Sequence, residues 1–260
     1  MKQILYITIF LSSFCFAKDP VNGQKIITKE QLKIIEQKRK ASLDLAQKAA
    51  LQTQPELIYS EYLKSEKMFP NLGPVNNRVY GNRNARNKLV VFADFACGHC
   101  KVASKELKLR VNENRPLVNL TYVFYPLDKA CNQIVKGKFS DYSCLSTKLA
   151  LCAEKEGKVW AAIDYLYEHQ EDSKKQTFDK KKLISDMNKK LKTKNLDTCI
   201  TSKWVDDKLR LETTVHKGLK IPGTPIVLLN NKRFGSTYKS KEVFAKFIKF
   251  FDLKEHPQRK

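Results

Sequence analysis

The segment from Asn87 to Lys105 reads N-K-L-V-V-F-A-D-F-A-C-G-H-C-K-V-A-S-K. Its apolar run, Leu89 to Phe92, is short and rich in β-branched and aromatic side chains, which favours a buried strand over a helix. A C-x-x-C motif, Cys97 and Cys100, follows at once. Apolar side chains then recur among lysines with helical spacing, at Val102, Ala103, Leu107 and Leu109. The two cysteines are therefore predicted to lie at the junction between the end of a strand and the N-terminus of a helix.

This position favours an ionised first cysteine. Free N–H groups and the helix dipole stabilise negative charge at a helix N-terminus, so we expect Cys97 to ionise more easily than a free thiol. Only the thiolate attacks a disulfide, and a protonated His99 would add a nearby cation. Two residues separate the cysteines, which allows the ring to close, so Cys100 can resolve a mixed disulfide. The three residues predict a catalytic redox site.

The alternative for the C-x-x-C motif is half of a zinc site. Zinc usually requires a second pair of Cys or His ligands, and the chain has no second C-x-x-C. The remaining histidines are scattered, at His169, His216 and His256. The motif in this context favours redox chemistry without a metal or another cofactor.

Residues 90–101, V-V-F-A-D-F-A-C-G-H-C-K, resemble the active-site segment of the bacterial DsbA/DsbC/DsbG family of thiol–disulfide oxidoreductases. The later G-T-P, Gly223 to Pro225, resembles the cis-proline loop of that family, and the likeness extends from about Arg78 to Leu253. The resemblance implies an α/β architecture: a thioredoxin fold over 76–256 with an inserted helical subdomain at about 128–215.

The same resemblance implies a docking site for substrate. Thr224, before a cis Pro225, would offer free backbone groups to an extended client chain, which adds as a short strand. From the residues alone an X–Pro bond is trans in most cases, and the G-T-P would then be a simple turn.

The function that the resemblance implies is thiol–disulfide exchange on exported proteins that carry thiols or disulfides. The oxidase direction would need a membrane redox partner of the DsbB or VKOR type. The enzymatic alternative is a disulfide isomerase or reductase of the DsbC/DsbG type. The non-enzymatic alternatives are a peptide-binding chaperone and a metal carrier that uses the C-x-x-C motif.

The chain departs from the wider family pattern at one position. Many thioredoxin-fold enzymes place an acidic residue six positions before the first active cysteine, and Val91 stands there in this chain. Asp94 lies three positions before, as in the DsbC/DsbG branch, and is expected either as a cap or turn residue or as a proton relay. The Gly98-His99 dipeptide favours an oxidising type, because His99 would stabilise the reduced thiolate.

The N-terminus predicts export. Met1-Lys2 is a short positive region, Ile4 to Leu11 is apolar, and cleavage after Ala17 would remove a signal peptide at 1–17. A lipoprotein would use Cys15 instead, but the bulky Phe14 precedes it. No other stretch of the sequence is long and apolar enough to span a bilayer. We therefore expect a periplasmic protein.

The cysteine count agrees with an oxidising compartment. The chain has seven cysteines; removal of Cys15 and of the C-x-x-C pair leaves an even remainder, which suggests two structural disulfides with three possible pairings. A local loop favours Cys131–Cys144, and two helical segments that could pack together favour Cys152–Cys199. The alternative is that some of the four are buried free thiols.

A helical extension is expected at 18–75. Thr28-x-x-Gln31 is a capping-box signal that opens a helix to about Gln52, and Pro55 suits the start of a second helix that would run to Met68. Both carry an apolar stripe that needs a partner surface. The resemblance implies self-association, so the extension is a candidate homodimerisation region. The alternative is a solvated, lysine-rich arm.

The remaining elements follow the same family plan. Leu117 to Tyr125 is predicted as the next, parallel strand, residues 143–215 as helical, Asn230-Asn231 as a hairpin turn and Ser240 to Leu253 as a closing helix. The net charge of +22 favours acidic partners. Export and the absence of a recognisable binding motif argue against nucleic acid as the partner. The positive charge is then explained either by a solvated, lysine-rich surface or by attraction to anionic lipid or acidic client proteins.

Overall fold

The computed structural model describes residues 28–51, 54–75, 77–137, 140–170 and 178–257. The predicted signal peptide, with Cys15, lies outside these ranges. Contacts divide the chain into two units, Met1–Ala49 and Ala50–Lys260. In the described residues no helix is long and apolar enough to cross a membrane.

The first unit contains most of helix α1, Lys29–Leu51. The Thr28 N–H donates to Gln31 Oε1 at 2.9 Å, and the Gln31 N–H donates to Thr28 Oγ1 at 3.2 Å. These reciprocal bonds confirm the predicted capping box. Large apolar side chains of α1 are between 48% and 70% exposed: Leu32, Ile34, Ile35, Leu43 and Leu45.

A mixed sheet forms the centre of the second unit. In the described part of the chain it has five strands in the order β1-β3-β2-β4-β5. The strands are β1 Val79–Tyr80, β2 Asn87–Ala93, β3 Val118–Phe124, β4 Ile226–Leu229 and β5 Lys232–Arg233. Strands β2 and β3 are parallel and are joined by a crossover helix, which confirms the predicted βαβ unit. The other neighbouring pairs are antiparallel.

Along the chain, the helices of this unit precede the first strand, lie between strands and follow the last strand. They are α2 Pro55–Lys64, α3 Gly98–Glu113, α4 Asp141–Lys155, α5 Val159–Glu168, α6 Lys180–Leu191, α7 Leu196–Cys199, α8 Lys203–Thr214 and α9 Lys241–Glu255. Helices α4 to α8 all fall between β3 and β4. They form the helical insertion that the sequence predicts.

Strand β2 is buried on both faces. Leu89 and Val91 belong to the large core that the helices cover, whereas Val90 and Phe92 belong to a second, smaller core on the other face. A strand covered on both faces has a continuous apolar sequence, without alternation. This burial explains why the continuous apolar segment L-V-V-F predicts a buried strand so clearly.

Helix α2 packs within the second unit, against α9. The Tyr59 hydroxyl donates to Glu255 Oε1 at 2.6 Å, and the ring of Tyr62 meets Phe251 edge-on with centroids 5.1 Å apart. The helix ends at Lys64, so the expected extension to Met68 is wrong; Met68 is buried beyond the helix, in the smaller core. The sequence places α2 in the N-terminal extension, but the apolar face of this helix already packs against α9.

The described residues contain two disulfides, Cys131–Cys144 and Cys152–Cys199, with Cα–Cα distances of 5.9 and 6.0 Å. These are the pairs that the sequence analysis favours. The first ties the loop after β3 to the start of α4. The second ties α4 to α7 and so braces the helical insertion internally.

The C-terminal elements confirm the predicted turn chemistry. Asn230 and Asn231 both have positive φ, 43° and 66°, between the antiparallel strands β4 and β5. Two such residues define the type I′ hairpin turn, which Asn tolerates. Ser240 caps α9 by accepting a hydrogen bond from the Val243 N–H.

A buried ion cluster fastens the insertion to the sheet. The Arg78 guanidinium, just before β1, is completely buried and pairs with Glu154 of α4 at 2.8 Å and with Glu212 of α8. It also lies 3.9 Å from the ring centroid of Phe124 on β3. Burial would lower the pKa of Arg78, but Glu212 and Glu154 together raise it. The guanidinium therefore stays charged within the core.

Candidate active site at the Cys97–Cys100 turn

The cysteine motif lies at the predicted strand-to-helix junction. Strand β2 ends at Ala93, a short turn follows, and Cys97 is the N-cap residue of α3. The Cys97 carbonyl accepts the N–H groups of Cys100 and Lys101 at 3.0 and 3.2 Å. The thiol of Cys100 is fully buried, whereas Cys97 retains 7% exposure. Cys97 is therefore the cysteine that an incoming sulfur can reach.

The pKa values of the two thiols are shifted in opposite directions. A hydrogen bond from the Cys100 thiol lowers the pKa of Cys97 to about 6; burial opposes this, and the Thr224 side chain and the N–H groups of Cys100 and His99 lower it further. Burial, reinforced by the interaction with Cys97, raises the pKa of Cys100 well above that of a free thiol. Near neutral pH the pair therefore carries one thiolate, on Cys97, and one proton, on Cys100.

His99 contributes to this acidity through its backbone. Its N–H at the start of α3 is one of the groups that lower the pKa of Cys97, and its side chain is exposed. The sequence predicts an effect of the imidazole, whereas the contribution of His99 to the lowered pKa of Cys97 comes from its main chain.

The cis-proline loop lies directly beside the motif. The Thr224–Pro225 peptide bond is cis, and the Cys97 thiol donates to the Thr224 carbonyl at 3.4 Å. Within the described ranges the Thr224 hydroxyl is buried without a hydrogen-bond partner. It can therefore donate to Cys97 when that sulfur is ionised. Pro225 immediately precedes β4, where a missing N–H costs the sheet nothing.

Asp94 is the polar centre of the turn before Cys97. Its fully buried carboxylate accepts hydrogen bonds from the Ala96 N–H, the Leu127 N–H and the Ser143 hydroxyl. Burial raises the pKa of this carboxyl, and the three hydrogen bonds oppose the rise. Val91, at the position where other enzymes have an acid, is a buried core residue. The structure therefore brings Asp94, and not Val91, into the polar network.

Side chains of the insertion that the sequence analysis did not single out also hold this turn. The Tyr167 hydroxyl donates to the Asp94 carbonyl at 3.2 Å and is hydrogen-bonded to the Tyr122 hydroxyl. The Gln170 amide donates to the Phe95 carbonyl. In the sequence Tyr122 and Tyr167 look like ordinary members of an apolar strand and an apolar helix, and Gln170 is a polar residue just after that helix, so periodicity gives no signal for their role.

Helix α3 presents two faces. Ala103 and Leu107 are fully buried, whereas Val102 is 51% and Leu109 is 39% exposed. The exposed pair borders a groove of about 940 Å³ that Asp164 of α5 also lines.

In the described residues no three His, Cys, Asp or Glu side chains come together as a metal site would require.

The strand order, the parallel β2–β3 pair and the helical insertion before β4 are those of a thioredoxin fold of the DsbA-like type, with the C-x-x-C turn facing the cis-proline loop. A family model described as thioredoxin matches residues 74–249, more than half of the chain. The chain therefore belongs to the thioredoxin family, and the resemblance to DsbA-like proteins is confirmed. Comparison with curated protein sequences finds no significant match.

Solved structures share the fold at low sequence identity. Oxidised BdbD from Bacillus subtilis is 16% identical with a TM-score of 0.56, and the match covers 72% of this chain and 97% of that one. Alpha-DsbA1 from Wolbachia pipientis is 17% identical with a TM-score of 0.52 and coverages of 66% and 89%. A periplasmic thioredoxin-like protein from Salmonella enterica serovar Typhimurium is 18% identical with a TM-score of 0.50 and coverages of 70% and 98%.

Proposed function

We propose that this protein is a thiol–disulfide oxidoreductase that introduces disulfides into exported proteins through Cys97 and Cys100. One observation carries the proposal: Cys97, the accessible thiol of the pair, lies at the N-terminus of α3 beside the cis-proline loop while Cys100 is fully buried, and this setting lowers the pKa of Cys97 to about 6. A low-pKa sulfur is a good leaving group, and a stabilised thiolate favours the reduced form of the pair. Both properties suit a protein that gives its disulfide away.

The reaction begins with the Cys97–Cys100 disulfide. A client thiolate attacks the Cys97 sulfur, the Cys97–Cys100 bond breaks, and Cys100 leaves and takes up a proton. The second thiolate of the client then attacks the client sulfur of this mixed disulfide and displaces Cys97. The client has lost two electrons and gained a disulfide, and the enzyme retains a Cys97 thiolate and a Cys100 thiol.

The cis-proline loop is the proposed docking site. Thr224 and Pro225 lie beside Cys97, and the loop leads directly into β4. An extended client segment can pair with free backbone groups of such a loop, as in strand addition. The Thr224 hydroxyl would then stabilise Cys97 each time it leaves as a thiolate.

The cellular setting is part of the same proposal. The sequence of residues 1–17 suits a cleaved signal peptide, and one similar structure is named as periplasmic. An oxidase in the periplasm needs reoxidation, which a membrane partner of the DsbB or VKOR type would supply. Exported proteins with paired thiols are the expected clients.

The alternative enzymatic role is a disulfide isomerase, and α1 is the observation that favours it. Large apolar side chains along α1 are half or more exposed, Leu32 and Leu43 among them, and a second copy of the chain is a suitable partner for such a stripe. The helical extension at 18–75 remains the proposed dimerisation region, with α1 as its exposed part. A paired assembly would hold two active sites around one misfolded client.

The test compares the full chain with a chain that lacks residues 18–51, on two substrates. Oxidised protein of either length should oxidise a dithiol peptide stoichiometrically, because the site lies entirely within residues 94–225. The full chain should behave as a dimer in sedimentation and the shortened chain as a monomer. If neither protein oxidises the peptide, the oxidase proposal fails.

Rescue of a scrambled-disulfide protein by the full chain alone would establish the isomerase. Rescue by both lengths would mean that α1 is not responsible for isomerisation. If a Cys97→Ser variant keeps full biological activity, a peptide-binding chaperone is favoured instead. Stoichiometric zinc or copper(I) in the purified protein would favour a metal carrier.

A further inference from the structure

Asp94 links three segments of the chain through its side chain. Oδ1 accepts the Ala96 N–H within the active-site turn, and Oδ2 accepts the Leu127 N–H from the loop after β3 and the Ser143 hydroxyl from the first turn of α4. The sequence separations of the last two contacts are 33 and 49 residues. The carboxylate thus ties the turn before Cys97 to the helical insertion.

The backbone of the same residue touches both cysteines. The Asp94 carbonyl accepts the Cys97 N–H at 3.2 Å and the Tyr167 hydroxyl at 3.2 Å. The backbone of Asp94 is also among the groups that lower the pKa of Cys100 against the effect of burial. Any movement of Asp94 therefore moves the N-cap of α3 relative to the donors that surround the Cys97 sulfur.

The contacts of the carboxylate argue against a proton relay. In the part of the chain that the structure describes, the partners of both carboxylate oxygens are N–H or O–H donors, and such bonds favour the ionised carboxylate over the protonated form. The side chain thus acts as an anchor.

We propose that Asp94 is a positioning residue for thiol–disulfide exchange: its carboxylate, held by Ser143 and Leu127, fixes the turn so that the donors around Cys97 stay aligned with the thiolate. This inference rests on the proposed function and deepens it. It makes the helical insertion part of the redox site, because Ser143 and Tyr167 both belong to it. Loosening the anchor should raise the pKa of Cys97 and make the pair a weaker oxidant.

The test variant is Ser143→Ala, which removes one hydrogen bond and keeps the Asp94 charge. Its control is Ser146→Ala, since Ser146 lies on the same helix, is equally buried, and donates only to carbonyls of its own helix, those of Tyr142 and Ser143. The readouts are the thiolate absorbance of the reduced protein against pH and the equilibrium of the pair with glutathione.

The expected result for Ser143→Ala is a higher Cys97 pKa and a reduction equilibrium about tenfold less favourable, which is about 30 mV for a two-electron couple. Ser146→Ala should leave both values unchanged. Tyr167→Phe, which removes the bond to the Asp94 carbonyl, should act in the same direction as Ser143→Ala and serves if that variant does not fold.

Unchanged values in both Ser143→Ala and Tyr167→Phe would overturn the positioning role. Equal changes in Ser143→Ala and Ser146→Ala would also overturn it, because they would reflect a general loosening of α4. The pKa of Cys97 can be measured whether or not the protein oxidises a client. A wild-type protein without exchange activity would therefore refute the proposed function separately from this inference.

Discussion

Replacing Cys97 with serine is expected to reduce disulfide transfer to the uncatalysed background. In the described residues the free thiols are Cys97 and Cys100, and Cys100 is fully buried. A serine hydroxyl at position 97 cannot form the disulfide that the reaction transfers. The measurement is the rate of dithiol peptide oxidation, and the folded state of the variant is checked by its circular dichroism.

Cys100→Ser should give a different defect. Cys97 would still attack a client disulfide, but no neighbouring thiol would resolve the mixed disulfide, so a covalent enzyme–client complex should accumulate on non-reducing gels. The double variant Cys97→Ser/Cys100→Ser is the control and should form no complex. Normal transfer by Cys97→Ser would refute the exchange mechanism and favour a chaperone that uses the fold as a peptide platform.

Replacing Arg78 with methionine is expected to have the largest effect on stability. The change leaves Glu212, which is completely buried, and Glu154, which is largely buried, without their shared cation. Removing one partner of a buried ion pair costs about 3–5 kcal/mol, because the other charge stays uncompensated. Lys208 contacts Glu212 at 3.1 Å and offsets part of this loss. The measurement is urea unfolding of the oxidised protein.

Two further variants test the Arg78 account. Arg210 lies on the same helix as Glu212 but forms an exposed pair with Asp207, so Arg210→Met should hardly change the midpoint, since exposed pairs contribute little. Arg78→Met/Glu212→Met removes both charges and should recover much of the lost stability. An unchanged midpoint in Arg78→Met would mean that the cluster does not fasten the insertion to the sheet.

The sequence was most informative where a structural constraint is local. Strand β2 is buried on both faces, so its residues are continuously apolar, and the C-x-x-C motif follows it directly. The capping box before α1 and the Asn230-Asn231 turn are equally local, since each depends on residues at most three positions apart. These features could be predicted because short-range chemistry decides them.

The sequence was least informative where partners are far apart. The donors to Asp94 come from Leu127 and Ser143, and nothing in the sequence near Asp94 indicates them. Helix α2 looked like part of a separate extension because its partner, Glu255 of α9, is 196 residues away. Periodicity shows that a helix has an apolar face but does not show which surface covers it.

The pH dependence of the redox pair follows from the same acidity. The pKa of Cys97 is lowered from 9.0 to about 6 in the folded, reduced protein. The thiolate therefore contributes stability to the reduced form that is fully present above the ordinary thiol pKa and is lost as the pH falls through about 6. The disulfide form gains no such contribution, so the extra oxidising power that the lowered thiol pKa gives this pair over an ordinary dithiol should shrink as the pH falls and should vanish below about pH 6.

The reduction potential of the Cys97–Cys100 pair, measured against glutathione at several pH values, is the most direct test of the proposed oxidase. We expect roughly −120 to −180 mV at pH 7, the range between DsbA and protein disulfide isomerase. With rising pH the potential should fall by about 60 mV per unit below the Cys97 pKa, where reduction takes up two protons. Above that pKa it should fall by about 30 mV per unit, because Cys97 stays a thiolate and reduction takes up one proton. A potential near −270 mV, the value of thioredoxin, without a change of slope near pH 6, would contradict the account and identify a reductant.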